Sequence, residues 1–282
     1  MQVRALRHQP DNASQLVAGV LQHVGQHPAK CLGALREHQA ETTSMPSTTA
    51  IILGASGSVG KALLAEVERS PRFTRVIIIG RRSVQPHAVD GTTIEERLVP
   101  DMRPRELRQA VVAALQNGDS EVVGFSVLGV GAGTARLSLA QHRAVDVELN
   151  AAFAAGLKDS GRVRHLVFMS AIGADISAKA AGSGAAGTPR YSRVKGEAEE
   201  AVSNQGPPVV SIFRPSVIMG SQHTPAALAA VMWLLSPLVP ARYRPIRTTE
   251  IAKAMVAVTQ SEPGASATYT YAEMRALVAG QA

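Results

Sequence analysis

Residues 50–66 read AIILGASGSVGKALLAE. An apolar run from Ala50 to Leu53 stops at three glycines spaced by three, Gly54, Gly57 and Gly60, and apolar residues then recur at Val59, Leu63, Leu64 and Val67. The first run has the continuity of a buried strand, and the second spacing lays one apolar stripe along a helix. Glycines at such a junction allow a sharp turn, let the main chain approach a diphosphate, and aim the positive helix N-terminus at it. A glycine triplet alone marks only a tight turn; the strand before it and the helix behind it favour phosphate binding, with Ser56, Ser58 and Val59 counted in the same loop.

Working outward, strand-like and helix-like runs alternate. RVIIIGRR, EVVGFSVLG, RHLVFMS and PVVSIFRP read as strands, whereas RELRQAVVAALQNG, AVDVELNAAFAAGLKDSG and YSRVKGEAEEAVSNQG read as helices. Apolar strands without period-two alternation, separated by helices, predict an α/β fold with a doubly wound parallel sheet covered on both faces. The second strand ends in Gly80, Arg81 and Arg82. An acid at that position would take a ribose 2′-hydroxyl; guanidinium groups suit a 2′-phosphate, so the pattern predicts NADP over NAD.

Composition narrows the classes. The 29 Lys and Arg against 22 Asp and Glu give a net charge of +7, but the basic residues are scattered and only 4% of residues are aromatic. That excludes the stacking platform of a single-stranded nucleic-acid binder, so no nucleic-acid partner is expected. One cysteine, Cys31, excludes an internal disulfide framework and a cysteine-rich metal site, and no metal is expected. The longest apolar stretch, PAALAAVMWLLSPLVP at 225–240, is too short and too interrupted for a spanning helix, so no transmembrane segment is expected. Met232, Trp233 and Leu234 within it are candidates for an apolar substrate wall; a core-facing helix with a basic tail at Arg242, Arg244 and Arg247 is a second reading, and attachment to an anionic membrane surface is a third, disfavoured because the charges follow the apolar run instead of lining one helix face.

Residues 1–47 differ from the rest: they hold four of the eight histidines and the only cysteine, and the polar linker ETTSMPSTT at 41–49 leads from them into the domain. Two readings stand, a transit segment with Arg4 and Arg7 before any acid, or a loosely ordered extension ahead of a true start at Met45. The expected division is an extension over 1–47 and one domain over 48–282. A cytoplasmic location goes with the second reading and a mitochondrial one with the first.

YSRVKGEAEE puts Tyr191 and Lys195 four residues apart at the start of a helix, on one face. A phenol of ordinary pKa ~10 is a poor acid-base group at neutral pH, and a neighbouring ammonium lowers it. Tyr191 could then donate a proton to a carbonyl oxygen as hydride arrives, tuned by Lys195. Ser170, closing the strand RHLVFMS at the carboxyl edge of the sheet, could hydrogen-bond that carbonyl or simply cap the strand.

Together ILGASGSVG, IGRR, VGFSVLG, SAIGAD, YSRVKGEAE and FRPSVI resemble the short-chain dehydrogenase/reductase superfamily. Within it they are most similar to the atypical Tat-interactive oxidoreductase family and its fungal mitochondrial relatives, over about residues 48–260. The resemblance implies a Rossmann fold binding NADPH, with Gly54, Gly57 and Gly60 at the diphosphate and Arg81, next to Arg82, at the 2′-phosphate. It also implies Asp101 and Met102 beside the adenine, Leu128 and Gly129 in a turn along the cofactor, Arg214 and Pro215 on the cofactor side, and Ser170, Tyr191 and Lys195 as catalytic residues. One departure is that Ser170 is followed by Ala171, where the family usually has a second hydroxyl. KAAGSGAAGTP at 179–189 reads as a loop over the cofactor site, either a lid or slack. Two functions follow: an NADPH-dependent reductase of a small carbonyl compound, or an NADPH-sensing regulator with little turnover that acts through a protein partner. A sugar-nucleotide epimerase ranks lower, because few residues follow Lys195 to build a substrate lobe.

Overall fold

The computed structural model describes residues 47–86, 90–118, 121–219, 240–261 and 263–280. The extension up to residue 46 and the apolar run with Met232, Trp233 and Leu234 lie outside the described residues.

Strand β1 (Thr48–Leu53) leads through the glycine loop into helix α1 (Ser58–Arg69), then β2 (Phe73–Gly80), β3 (Thr93–Leu98), α2 (Pro104–Ala114) and β4 (Glu121–Ser126). The chain continues through α3 (Leu139–Arg143), a π-helical turn (Ala144–Leu149), α4 (Asn150–Asp159), β5 (Val163–Met169), α5 (Pro189–Gln205) and β6 (Val209–Phe213). A two-residue pair, β7 (Ile218–Met219) with β8 (Ile246–Arg247), precedes α6 (Thr248–Gln260), β9 (Ala267–Tyr269) and α7 (Tyr271–Ala279).

Seven parallel strands form one sheet in the order β3-β2-β1-β4-β5-β6-β9, the doubly wound arrangement expected from the sequence. Both faces are covered, which is why the central strands carry no polar alternation. In β1, Ala50 and Ile52 join Leu63, Val67 and Met255 on one side, while Ile51 and Leu53 join Leu107, Phe153 and Leu157 on the other. The strand order reverses between β2 and β4, on either side of β1, which opens a crevice at the carboxyl ends of β1 and β4.

Three local features depart from the sequence reading. Strand β3 (TIEERL) was not among the predicted strands, because it is a part-exposed edge whose Glu95 is held between Arg75 and Arg97. β9 has only three residues and completes the opposite edge. The helix predicted from Ala144 onward begins with a π-helical turn, a feature that simple periodicity does not reveal.

His165 on β5 is buried, with Nε2 2.9 Å from Ser211 Oγ on β6. Burial, aided by the charge of Arg72, pushes its pKa down to about 4. When unfolded, the imidazole takes its proton near pH ~6.5, so between there and pH 4 acidification favours the unfolded chain. Stability is therefore expected to fall as pH drops through this window, by up to roughly 3 kcal/mol from this one group. Denaturant unfolding at several pH values should show the loss, and His165→Gln should flatten it.

Candidate functional site

At the carboxyl end of β1, Gly54 has φ 91°, and a side chain there would lie 2.7 Å from the main-chain nitrogen of Leu128. The loops after β1 and β4 thus touch at the crevice, and Val127 N–H donates to Leu53 O. Gly57 precedes α1 without any side-chain cap, which leaves the first-turn amides of Ser58, Val59 and Gly60 suited to an anion.

A cavity of about 300 Å³ is lined by Gly54, Ser56, Arg81, Arg82, Met102 and Leu128, among others. A second of about 530 Å³ shares Arg81, Met102 and Leu128 and adds Asp101, Gly129, Val145 and Glu148. Among the described residues neither Arg81 nor Arg82 has an ion-pair partner, so both guanidinium groups stand free beside the cavity. Met102 is buried with φ 46°, an uncommon conformation for a side chain of this size. The glycine loop, Arg81, Arg82, Asp101, Met102, Leu128 and Gly129 are therefore brought together around one crevice. The fit to a dinucleotide is good: an uncapped helix N-terminus for a diphosphate, and unpaired arginines at the end of β2.

Arg214 and Pro215 are not on the walls of either cavity. The Arg214 guanidinium is instead held by Glu199 on α5, with Nε 2.8 Å from Oε1, and the Pro215 carbonyl accepts the Ile172 N–H. Their observed contacts hold the chain after β6 against α5 and the turn after β5.

Tyr191 and Lys195 lie on one face of α5, as expected from their spacing, with Lys195 Nζ 5.7 Å from the Tyr191 ring centre. Lys195 is buried, and its ammonium lies 2.8 Å from Asp146 Oδ2 in the π-helical turn. Burial alone would push the Asp146 carboxyl up; the Lys195 charge, the nearby His142 ring and the hydrogen bond from the Val130 N–H outweigh it and hold the carboxyl well below the usual range. Burial pulls the Lys195 ammonium down, but Asp146, Tyr191 and Glu199 more than offset it and hold its pKa above the ordinary lysine value.

His142, with no exposed surface, has its ring 5.9 Å from that of Tyr191 and Nε2 3.5 Å from Asp146 Oδ2. Asn150 donates to the main-chain carbonyls of Asp146 (2.9 Å) and Leu128 (3.3 Å) and accepts from Ser126 Oγ (2.5 Å). His142, Asp146 and Asn150 were missed in the sequence. Their signal was there as polar residues four apart in an otherwise Val- and Ala-rich helix, a stripe that burial makes costly unless it has partners.

Ser170 Oγ is buried and has no hydrogen-bond partner among the described residues, an unmet acceptor and donor at the carboxyl edge of β5. The turn after it is fastened to the start of α5, where Asp175 N–H donates to the main-chain carbonyl of Ser192. Within residues 179–188, Thr188 Oγ1 donates to Ser183 O or Ala185 O, and just beyond them Arg190 Nη2 on α5 donates to Leu137 O at 2.8 Å.

Comparison with known proteins places this arrangement. No family model matches the chain. It is 30% identical over 180 residues to protein HTATIP2 of Rattus norvegicus, covering 64% of this chain and 66% of that protein. This similarity agrees with the resemblance to atypical members of the short-chain dehydrogenase/reductase superfamily. It is also 28% identical over 178 residues to the protein "FMP52, mitochondrial" of Eremothecium gossypii, covering 62% of this chain and 68% of that protein. The matched segment thus spans just under two thirds of the first relative.

Among solved structures, MoeE5 in complex with UDP-glucose and NAD has a similar fold, at a TM-score of 0.54 and 12% identity over 83% of this chain and 81% of that one. A UDP-glucose-4-epimerase from Stenotrophomonas maltophila with bound NAD gives a TM-score of 0.55 and 16% identity over 79% and 77%. At such identities the likeness is one of fold. Among the described residues, no helix is long and apolar enough to cross a membrane.

Proposed function

We propose that the chain is an NADPH-dependent reductase of a small carbonyl compound. The observation that carries the reading is Tyr191 beside a buried, protonated Lys195 on α5. A dinucleotide in the crevice would supply hydride. Its diphosphate would lie on the Gly54–Gly60 loop and its 2′-phosphate at Arg81, with Arg82 adding positive charge. Ser170 Oγ, which has no partner of its own, would donate to the substrate carbonyl. Tyr191 would deliver its proton to that oxygen as negative charge develops there, and Lys195 would stabilise the phenolate left behind.

Arg81 decides the cofactor. A charge-assisted contact of this kind is worth roughly 1.5–3 kcal/mol, about 10- to 150-fold in affinity. Arg81→Ala is expected to lose that much NADPH affinity and leave NADH binding nearly unchanged, read by cofactor fluorescence. Equal affinities of the parent protein for the two cofactors would overturn the preference.

The other function, an NADPH sensor acting through a protein partner, shares every cofactor contact and differs only in turnover. NADPH oxidation against a panel of small aldehydes and ketones separates the two: oxidation that depends on Tyr191 supports the reductase. Location stays with the two sequence readings, cytoplasmic or mitochondrial, the second gaining support from the name of the fungal relative.

A further inference from the structure

We propose that Glu96 on β3 is a positioning residue for cofactor choice: it fastens the loop after β2 so that Arg81 and Arg82 face the crevice unpaired, ready for a phosphate on the ribose 2′ position. The proposal deepens the cofactor reading above and rests on it. Glu96 stands opposite Ile78 in the register of β2 and β3, and its carboxylate reaches forward past the end of β2. Oε2 accepts the Ser83 hydroxyl at 2.5 Å, and Oε1 accepts the Val84 N–H at 2.7 Å.

The latch continues beyond those two bonds. Ser83 Oγ in turn accepts the Gln85 N–H at 3.0 Å, and Gln85 has φ 50°, a left-handed conformation that a side-chain-bearing residue keeps only where its surroundings hold it. Val84 and Ile94 pack against the core cluster that contains Ile78. At the start of the loop the Gly80 carbonyl accepts the Val99 N–H at 2.9 Å. The loop is thus held to β3 and its flank at both ends, and Arg81 and Arg82 lie in the span between.

Glu96 differs from its neighbour in what it pairs with. Glu95, on the opposite face of the strand, is taken up by Arg75 and Arg97. Glu96 has no ion-pair partner among the described residues, although two arginines belong to the very loop it holds. Both of its oxygens are filled by uncharged donors, so the carboxylate orders the loop without neutralising either guanidinium. Arg81 and Arg82, with Ser83 and Val84, line the cavity of about 300 Å³. Without the latch the arginines keep their charge but lose the fixed main chain from which they extend. A 2′-phosphate must then order the loop as it binds, and its affinity falls.

The opposite sign is expected if Glu96 acts through its charge alone, because removing a carboxylate near the site would strengthen the binding of a phosphate. NADPH and NADH affinities are measured on the full chain by cofactor fluorescence. Glu96→Ala is expected to weaken NADPH about tenfold and to leave NADH within about twofold. Glu96→Gln, whose amide oxygen still accepts one of the two bonds, is expected to fall between the parent and Glu96→Ala, and carries the test if the alanine variant does not fold. In an Arg81→Ala/Arg82→Ala background, Glu96→Ala is expected to change NADPH affinity by no more than about twofold, since the loop then has no guanidinium to present. NADPH affinity unchanged or raised in Glu96→Gln, or NADPH and NADH weakened alike, would overturn the proposal. A parent preference for NADPH that Arg81→Ala abolishes would still uphold the cofactor reading in that case, whereas equal affinities of the parent for the two cofactors would overturn both.

Discussion

Tyr191→Phe is expected to lower NADPH oxidation by about a hundredfold or more while changing NADPH affinity by no more than about threefold. Removing a general acid typically costs 10²–10⁴ in rate, roughly 2.7–5.5 kcal/mol of transition-state stabilisation. The substitution removes one hydroxyl and keeps the ring, so the contact with His142 and the apolar face offered to Lys195 both survive. The cofactor crevice is built elsewhere, from the loops after β1, β2 and β4, and should not notice the change. Turnover with a carbonyl panel and binding by fluorescence, measured on the same preparations, separate the two quantities. Unchanged turnover in the variant would remove Tyr191 from the mechanism, and no turnover in the parent across a broad panel would favour the sensor.

Gly60→Ala is expected to damage the fold itself, and Gly57→Ala is not. A methyl group at residue 60 would lie 2.1 Å from the Gly54 carbonyl oxygen and 2.7 Å from Ala55 Cα, both main chain that cannot swing aside. At residue 57 the nearest atom is the Gly54 oxygen at 3.5 Å, an ordinary contact. Gly60 thus lets α1 close against the end of β1. Forcing that junction apart should cost about 3 kcal/mol or more, which for a domain of this size lowers Tm by roughly 6–12 °C. Gly57→Ala should keep its Tm but weaken NADPH binding, because its methyl group would stand where the diphosphate approaches the main chain. Thermal unfolding with and without NADPH distinguishes these outcomes. Equal melting temperatures for the two variants would mean that the loop relaxes in a way its packing does not indicate.

The central strands were legible because a parallel sheet buried on both faces needs continuous apolar runs, and runs such as TAIIL and RVIIIG admit few other readings. The edges were not. β3 carries two glutamates and an arginine because one side of it meets solvent and Arg75, and β9 is too short to show any period. The glycine loop, Arg81 and the Tyr191–Lys195 pair were legible for a related reason: each is a short local pattern whose geometry one element or one turn determines.

By itself, then, the sequence determined the order of the central strands and the helices between them, the junction at Gly54–Gly60, the arginines ending β2, and the face of α5 that carries Tyr191 and Lys195. Only the tertiary structure decided who meets that face. His142 and Asp146 precede Lys195 by some fifty residues, His142 in a short α-helix and Asp146 in the π-helical turn that follows, so their orientation towards α5 depends on how these segments pack against it on one face of the sheet. Likewise nothing local to FRPSVI shows that the Arg214 guanidinium pairs with Glu199 on α5. Backbone propensity and periodicity act within a few residues, whereas the burial that makes a lone charge costly is set by the packing of distant segments. That cost, avoided only by pairing, joins Asp146 to Lys195.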